Sequence, residues 1–421
     1  MDRALITTAR EWLPTGLKPD PRFFDEEGFL LDFDARWAEN CLRMIREETW
    51  MDSTPGLPWM AMGCATNAEV LTRFENLVPG IIYGRLRERL KLTASHPLAL
   101  AEAEANVLVK SNLQDPVRLF IKDEPHSRKK AELGRWRIIS NMSIIDIACS
   151  RMLGQPLLTR CVDEWARPDR SVNTGMGLHD EGIANIFAKV HALEAAGEEL
   201  AAGAIISSDA KAYDWSVQQM DIRLGFQTIA SCFELGSEED HNSGDLVDCD
   251  FTRLLIYEGT QMCNKMYVLP DGHMCHDRTP GKIISGSFWT ALLNSIIRNQ
   301  VSYRRGSAVA QAMGDDALEL WIGNIPQHLA DGYVVEYEEL PADVHFEFCS
   351  HHFMYDGRAI PLNTGKSLYK LLQRTPDQQA VAEFGYEMRH HPHRDRMLAW
   401  IYREWQLPPP ADLTSLVSPP A

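Results

Sequence analysis

The hydrophobic and polar residues of this chain follow two different periodic patterns, which predict a mixture of helices and strands. A helical period is found in residues 85–110, where Pro97 interrupts it, and again in residues 180–202. Residues 202–210 are apolar up to a polar end, which is typical of a buried strand. Residues 345–353 alternate between apolar and polar positions and predict one further strand.

Two hairpins and a helix are predicted between these last two strands. "KMYVLPDGHMCHD" turns at Asp271 and Gly272, while "AVAQAM" and "ALELWI" flank a Gly-Asp-Asp turn at residues 314–316. The helix lies between the hairpins, in "SGSFWTALLNSIIRNQVSYRR", and begins at Ser285 or Ser287. The order strand, helix, hairpin, helix, hairpin, strand is an α+β pattern with an antiparallel sheet.

The composition fits a folded protein with room for two or three subdomains, since 45% of its 421 residues are hydrophobic and 24% are charged. Nine cysteines, an odd number, favour reduced thiols, and the N-terminus lacks the apolar block of a signal peptide, so we expect a cytosolic protein. The 42 basic residues (Lys and Arg) and 59 acidic residues (Asp and Glu) give a net charge of −17. This charge argues against a globally basic nucleic-acid binder but leaves room for a local basic channel.

Two clusters of carboxylates stand at predicted strand ends that are far apart in sequence. Asp209 and Asp214 lie in "DAKAYD", and Asp315 and Asp316 complete the Gly-Asp-Asp turn. If both strand ends share one sheet edge, like charges meet there, which is unfavourable without a cation. Such oxygen ligands suit Mg²⁺ or Mn²⁺, and two ions about 3.5–4 Å apart promote in-line phosphoryl transfer. Two unrelated acidic turns are the alternative.

A basic segment interrupts the acidic sequence between residues 118 and 137. Its cations are Arg118, Lys122, Arg128, Lys129, Lys130, Arg135 and Arg137, against Asp123, Glu124 and Glu132. Cations spaced along an extended segment can grip a nucleotide triphosphate and a nucleic-acid backbone. A solvated charged loop is the alternative.

The helix predicted after Ser285 has a polar face. Thr290 and Asn294 are four residues apart and share this face, while apolar residues on the opposite side are available for burial. Hydroxyl and amide groups suit the recognition of a sugar. An ordinary amphipathic helix with a serine N-cap is the alternative.

Six segments, in their order along the chain, resemble the signature motifs of RNA-dependent RNA polymerases of positive-strand RNA viruses. They are "STPGLPWMAMG" for motif G, "KDEPHSRKKAELGRWRII" for motif F, "DAKAYD" for motif A, "SGSFWTALLNS" for motif B, "MGDD" for motif C and "FEFCSHHF" for motif E. Motifs F and E are most similar to the sobemovirus, polerovirus and barnavirus group. Together the motifs span residues 53–353.

The resemblance implies a right-hand fold of fingers, palm and thumb, with an RRM-like antiparallel palm sheet and closed finger loops. It implies an N-terminal segment and fingers in residues 1–142, a palm with finger insertions in residues 143–353, and a small thumb with a loose proline-rich tail in residues 354–421.

The resemblance also implies the reaction, which is the template-directed addition of NTPs to RNA with release of pyrophosphate. Its metal ligands are Asp209, Asp315 and Asp316, which bind Mg²⁺ or, in its place, Mn²⁺. Its nucleotide-binding residues are Lys122, Lys130, Arg135, Arg137, Asp214, Ser285, Thr290 and Asn294. Its RNA-binding residues are Ser53, Thr54, Gly56, Arg128, Lys129, Cys349 and Ser350.

The partners implied are the RNA template and product strand, NTPs, and a viral protein primer or other replication proteins. We expect the chain in viral replication complexes of the host cytoplasm. It has no apolar run long enough to serve as a membrane anchor, so a partner would supply membrane attachment.

Motif D departs from the family pattern. Many of these polymerases have a lysine there that protonates the departing pyrophosphate, but no lysine lies between Asp331 and Phe353. We predict His345 as the general acid, because a histidine beside an anionic triphosphate can carry a proton at working pH. Water or a basic residue from elsewhere, such as Lys366, is the alternative.

Three other functions share parts of this pattern. A reverse transcriptase shares the palm carboxylates but typically has an aromatic residue where Asp214 stands. A catalytically inactive polymerase-like scaffold would usually lack one of the carboxylates, and a metal nuclease would not need motif F or the motif B helix.

The spacing of Cys263, His273, Cys275 and His276 does not match the common zinc-ligand patterns.

Overall fold

The computed structural model describes residues 12–95, 104–126, 128–199, 203–235, 247–307, 309–322, 332–337, 339–410 and 413. The helices are α1 (Ala35–Glu48), α2 (Asn67–Phe74), α3 (Val78–Ser95), α4 (Ala105–Lys110), α5 (Arg128–Glu132), α6 (Ile144–Glu164), α7 (Asp180–Glu199), α8 (Tyr213–Ser216), α9 (Gln219–Ala230), α10 (Asp250–Cys263), α11 (Thr290–Arg305), α12 (Thr364–Leu372), α13 (Gln378–Glu387) and α14 (Arg394–Glu404). The strands are β1 (Val117–Ile121), β2 (Ile138–Asn141), β3 (Gly203–Ala210), β4 (Met266–Val268), β5 (Met274–His276), β6 (Val309–Met313), β7 (Asp316–Ile322), β8 (Val335–Tyr337), β9 (Val344–Phe348), β10 (His351–Met354) and β11 (Ala359–Pro361).

The central sheet is antiparallel and has the strand order β6-β7-β3-β8. Helices α7 and α11 pack against it. Helix α11 is buried at every position from Leu292 to Ser302, including its polar residues. Because buried polar groups must be hydrogen-bonded to be tolerated, the polar residues of α11 have to find their partners inside the protein.

Several predicted elements are confirmed. Strand β3 covers most of the run predicted as a buried strand, and α7 begins at Asp180 as expected. Both hairpins are present: β4 and β5 turn around Gly272, and β6 and β7 flank the Gly-Asp-Asp turn. The antiparallel α+β pattern predicted for this region is therefore correct.

Three boundaries differ from the predictions. Helix α3 ends at Ser95 and α4 begins at Ala105, with Pro97 outside the described residues. Helix α11 begins at Thr290 rather than at Ser285 or Ser287, because the preceding residues form turns in which the Trp289 N–H donates to Ser287 Oγ at 3.1 Å.

The strand predicted for residues 345–353 is wrong, because the segment is a hairpin of β9 and β10. The chain reverses at Cys349 and Ser350, which have φ angles of 50° and 56°. This left-handed conformation costs non-glycine residues about 1 kcal/mol each. Strands β9, β10 and β11 form a second antiparallel sheet.

A buried ion network joins α3, α6 and α10. Arg89 Nη2 donates to Asp146 Oδ1 at 2.8 Å, and Arg89 Nη1 donates to Glu258 Oε1 at 2.9 Å. The other carboxylate oxygen of Glu258 accepts from Trp289 Nε1 at 2.7 Å. Loss of one partner would leave an unpaired buried charge, so the network fixes these helices and the start of α11 relative to one another.

The last helices, α12, α13 and α14, pack around a hydrophobic cluster of their own. Its buried members include Leu371, Phe384, Leu398 and Ile401. In the parts of the chain that the structure describes, no helix is both long enough and apolar enough to cross a bilayer.

A close backbone approach explains the glycine at position 56. Gly56 has a φ of 72°, and a Cβ there would lie 2.4 Å from the Met142 carbonyl oxygen. The adjacent Pro55 carbonyl accepts from the Ile144 N–H at 2.9 Å, which holds this segment against the start of α6.

We predict that Gly56→Ala lowers the free energy of unfolding by about 2–4 kcal/mol, from the positive φ plus the steric overlap. Gly272→Ala is the matched control, because Gly272 has a φ of 84° but no neighbouring atom within 4 Å of the added Cβ. It should cost only about 1 kcal/mol. Urea denaturation of both variants checks this difference, and equal losses would contradict the role of the Met142 contact.

Candidate active site

The sheet brings together the two carboxylate clusters seen in the sequence. In the β3–β7 ladder Asp209 pairs with Asp316, and the ladder between β6 and β7 closes at Met313 and Asp316. Gly314 and Asp315 therefore form a two-residue turn, in which Gly314 has a φ of 67°. Such a turn needs glycine at its first position, which explains the Gly before the two Asp residues.

The carboxylates influence each other electrostatically. Burial, together with the negative charges of Asp315 and Asp209, raises the pKa of Asp316 to about 7. Burial raises the pKa of the Cys349 thiol in the β9–β10 turn, and the nearby Asp316 and Asp315 carboxylates add to this effect. Within the described ranges, no three His, Cys, Asp or Glu side chains converge closely enough to hold a metal ion as they stand.

Two side chains of α11 hold the Gly-Asp-Asp turn. The Gly314 N–H donates to Ser295 Oγ at 2.8 Å, and Arg298 Nε donates to the backbone carbonyl of Asp315 at 3.0 Å. The turn is therefore anchored at both of its residues.

Asp214 and Asn294 meet beside the carboxylates. Asn294 Nδ2 donates to Asp214 Oδ1 at 3.0 Å, whereas the buried Asn294 Oδ1 has no hydrogen-bond partner. Burial raises the pKa of Asp214, and the hydrogen bond from Asn294 partly offsets this. A buried acceptor without a donor is costly, so this oxygen is available to a hydroxyl group of a ligand.

Two hydroxyls expected beside Asn294 already have partners within the protein. Ser285 Oγ accepts from the Ser140 N–H at 3.0 Å, and Thr290 Oγ1 donates to the Ile284 carbonyl at 2.7 Å. Both side chains join the loop before α11 to its surroundings.

The basic segment forms the connection between β1 and β2. The Lys122 N–H donates to the Arg137 carbonyl at 2.8 Å, which places these two residues side by side. Between them lies the Glu124 carboxylate, 3.2 Å from Lys122 Nζ, 3.7 Å from Arg137 Nη1 and 3.6 Å from Lys366 Nζ on α12. Burial alone would raise the pKa of Glu124, but these cations outweigh it and lower the pKa.

The other cations of this segment are less engaged. Arg135 is exposed, and Arg128, whose side chain is 94% exposed, forms an ion pair with Glu132. Lys129 and Lys130 belong to α5, but their side chains lie outside the described part of the chain. Arg137 is close enough to Asp214 to lower its pKa, so the segment reaches the carboxylates through Arg137.

Motif G lies against the end of β2 and the start of α6. Ser53 and Thr54 are exposed, whereas Gly56 is buried. The Thr54 carbonyl accepts from Asn141 Nδ2 at 3.4 Å, which ties this segment to β2. The positions of Ser53 and Thr54 leave their hydroxyls accessible, while Gly56 is explained by packing.

His345 has contacts away from the carboxylates. Its Nε2 lies 2.6 Å from Glu194 Oε1 on α7, and its ring stacks on Tyr355 with centroids 4.7 Å apart. Within the described part of the chain, its hydrogen bond and its ring contacts involve Glu194 and neighbouring rings, not Asp209, Asp315 or Asp316. The structure thus provides no support for His345 as the general acid.

Sequence reasoning missed Ser295 and Arg298 as parts of the site, and it named Lys366 only as an alternative proton donor. Arg298 carried a signal, because it lies four residues after Asn294 on the polar face that begins at Thr290. Glu124 was counted only as a charge opposing the cations, and no local pattern links it to Lys366.

Comparison with known proteins identifies the family. A family model described as viral RNA-directed RNA polymerase matches residues 36–226 and 260–341. The RNA-directed RNA polymerase of mushroom bacilliform virus is 30% identical over 359 residues, which cover 81% of this chain and 80% of that protein.

Two further relatives are longer proteins. Protein P1-P2 of potato leafroll virus is 29% identical over 395 residues, covering 88% of this chain and 34% of that protein. Replicase polyprotein P2AB of cocksfoot mottle virus is 30% identical over 345 residues, which cover 79% of this chain and 33% of that protein. The chain therefore spans about a third of the length of these two relatives.

The fold agrees with this result. The 3Dpol RNA-dependent RNA polymerase of a sicinivirus superposes with a TM-score of 0.60 at 13% identity, covering 96% of this chain and 79% of that one. The fold is thus the mixed α/β right-hand polymerase fold, and the resemblance to sobemovirus, polerovirus and barnavirus polymerases is confirmed. The chain belongs to the viral RNA-directed RNA polymerase family.

Proposed function

We propose that this polymerase extends RNA by two-metal nucleotidyl transfer, with Asp209 and Asp315 as the metal ligands and Asp316 in support. The observation that carries the proposal is the strand pairing that joins Asp209 to Asp316 and places Asp315 in the adjoining turn. The raised pKa of Asp316 supports it, because a site that repels its own charges is a site that a cation stabilises. Bound Mg²⁺ or Mn²⁺ would activate the 3′-hydroxyl and stabilise the charge that develops on the α-phosphate.

The other residues of the site bind and orient the substrates. Asp214 and Asn294, which are hydrogen-bonded to each other, would form hydrogen bonds with the ribose of an incoming NTP. Lys122, Arg137 and Lys366 surround Glu124, and a triphosphate would replace this carboxylate as their shared anionic partner. We keep Lys130 and Arg135 as further nucleotide contacts, Ser285 and Thr290 as supports of the loop before Asn294, and Ser53, Thr54, Arg128, Lys129, Cys349 and Ser350 as RNA contacts.

The finer architecture belongs to the same proposal. The β6-β7-β3-β8 sheet would be an RRM-like palm, with fingers in residues 1–142 that close over it, the palm in residues 143–353 and a thumb in residues 354–421. The partners would be an RNA template and product, NTPs and a protein primer or other replication proteins. Replication complexes in the host cytoplasm, attached to membranes through a partner, would be its location.

Asp315→Asn removes one anionic ligand and keeps the shape of the side chain. We expect it to reduce nucleotide incorporation on a primed RNA template by about 100-fold or more, because a fixed charge at the reacting phosphate is lost. Single-turnover extension of a labelled primer measures this effect.

Asp271→Asn is the matched control, because Asp271 occupies the exposed turn of another hairpin and accepts from the His273 N–H. It should extend the primer at the wild-type rate. Near-normal incorporation by a folded Asp315→Asn variant would exclude Asp315 as a metal ligand.

Asn294→Ala removes the amide that pairs with Asp214. We expect the preference for NTP over dNTP to narrow by about 5-fold, because one ribose hydrogen bond is worth about 1 kcal/mol. The ratio of kcat/KM for ATP and dATP measures this preference. Asn299→Ala is the control, since Asn299 lies on the same helix but donates to the Ser171 carbonyl. An unchanged ratio in Asn294→Ala would remove Asn294 from sugar recognition.

Arg137→Ala removes the cation that lies nearest to Asp214 in this segment. We expect kcat/KM for NTP to fall by about 10–100-fold, as a charge-assisted phosphate contact is worth about 1.5–3 kcal/mol. Arg374→Ala, which breaks an exposed ion pair with Glu383 on the last helices, is the control. If Arg137→Ala and Arg374→Ala gave the same NTP kinetics, the triphosphate contact would lie elsewhere.

A further inference from the structure

A single buried guanidinium contacts both segments that carry the catalytic carboxylates. Arg298 Nε donates to the Asp315 carbonyl at 3.0 Å, and Arg298 Nη2 donates to Ser208 Oγ at 2.5 Å. Ser208 directly precedes Asp209 on β3, and Asp315 lies in the turn between β6 and β7. The Arg298 side chain is 0% exposed, so water cannot replace these contacts.

The opposite side of the guanidinium is fixed as well. Arg298 Nη1 donates to Glu319 Oε1 at 3.0 Å and to Ser302 Oγ at 2.6 Å. Glu319 also accepts from the Ser302 hydroxyl and from Trp321 Nε1. Glu319 is itself fully buried on β7, so its position follows the sheet, and Arg298 is held in register with the same sheet whose ends it contacts.

We propose that Arg298 is a positioning residue that sets the separation of Asp209 and Asp315 for metal binding. The inference rests on the proposed two-metal function and adds the residue that prepares its ligands. A planar guanidinium has donors in a fixed fork, so one side chain can span both segments in a single geometry. The ammonium of a lysine is a point donor on a flexible stem and cannot reproduce that span.

Ser295 provides a second anchor on the same helix. Its hydroxyl oxygen accepts from the Gly314 N–H at 2.8 Å, one residue before the carbonyl that Arg298 contacts. With both contacts in place, the turn is prevented from rotating about its strands. A displacement of about 1 Å at reacting groups can cost about 100-fold in rate, so small movements of this turn matter.

The proposal separates two measurable quantities. Arg298 contacts the segments that carry the proposed metal ligands, and its hydrogen bonds within the described residues do not involve Asp214, Asn294 or Glu124. Its replacement should therefore weaken metal binding and slow incorporation, while KM for NTP at saturating metal stays unchanged. A merely structural residue would lower the melting temperature without a selective change in metal affinity.

The test uses Arg298→Lys together with the double variant Arg298→Met/Glu319→Leu, which removes both charges so that neither is left buried and unpaired. Gln300→Leu is the matched control, because Gln300 is equally buried on α11 but donates to Thr228 Oγ1 on the other side of the helix. Mn²⁺ binding to the RNA-free protein is followed by EPR of the free ion. The Mg²⁺ concentration for half-maximal incorporation and the melting temperature are measured in parallel.

We expect both Arg298 variants to raise the Kd for Mn²⁺ and the half-maximal Mg²⁺ concentration by about 10-fold, which is typical for loss of a group that orients a metal ligand. Gln300→Leu should lower the melting temperature and change neither metal value. Folded Arg298 variants with wild-type metal values would overturn the proposal. Asp315→Asn separates a failure of the two-metal function from a failure of the role of Arg298. If Asp315→Asn leaves Mn²⁺ binding unchanged, the two-metal function itself fails. If Asp315→Asn abolishes Mn²⁺ binding while the Arg298 variants do not weaken it, only the role of Arg298 fails.

Discussion

The pairing of β3 with β7 is the constraint around which this polymerase is built. The ladder runs from Gly203 opposite Ile322 to Asp209 opposite Asp316, so it ends on two carboxylates that repel each other. Backbone hydrogen bonds and packing along the ladder hold this end together, since residues such as Leu318 and Leu320 are buried below it. The charges are thus brought together by interactions that do not involve them, and their repulsion remains available to favour a bound cation.

Buried side chains of alternating charge lie beneath the carboxylates and stabilise the segment that carries them. Arg298 lies next to the Gly-Asp-Asp turn, Glu319 lies behind Arg298, and Arg305 Nη1 lies 3.7 Å from Glu319. Burial alone would raise the pKa of Glu319, but Arg298, Ser302 and Arg305 outweigh burial and lower it. Each of these three buried charges therefore has a neighbour of opposite charge, and removal of one of them would leave its neighbour unpaired in the interior. This dependence explains why α11 carries so many polar residues although it is covered on all sides.

The sequence predicted those parts of the molecule that local chemistry determines. Gly-Asp-Asp between two apolar runs specifies a tight hairpin, and the motif order predicts that Asp209 and Asp315 share one site. The β9–β10 hairpin was missed because its turn uses Cys349 and Ser350 in the left-handed region, where Asn or Gly is the usual signal. Residues 345–353 contain no glycine, asparagine or proline, so no local signal distinguishes this hairpin from one longer strand. The contacts of Arg298, Glu124 and His345 depend on which distant elements pack together, and no local pattern contains that information.

Glu124 shows how an acidic chain can present cations to a triphosphate. Its carboxylate is only 6% exposed and pairs with Lys122, Arg137 and Lys366, whose side chains are 36%, 61% and 40% exposed. Ion pairs with such exposed partners are worth about 0–1 kcal/mol, so a ligand with several negative charges can compete for the cations. Lys366 lies on α12, whereas Glu124 follows β1, so the same carboxylate links the C-terminal helices to the basic segment. An anion that displaces Glu124 would thus change the proposed nucleotide contacts and this link at the same time. The net charge of −17 does not prevent such binding, because the interaction is local.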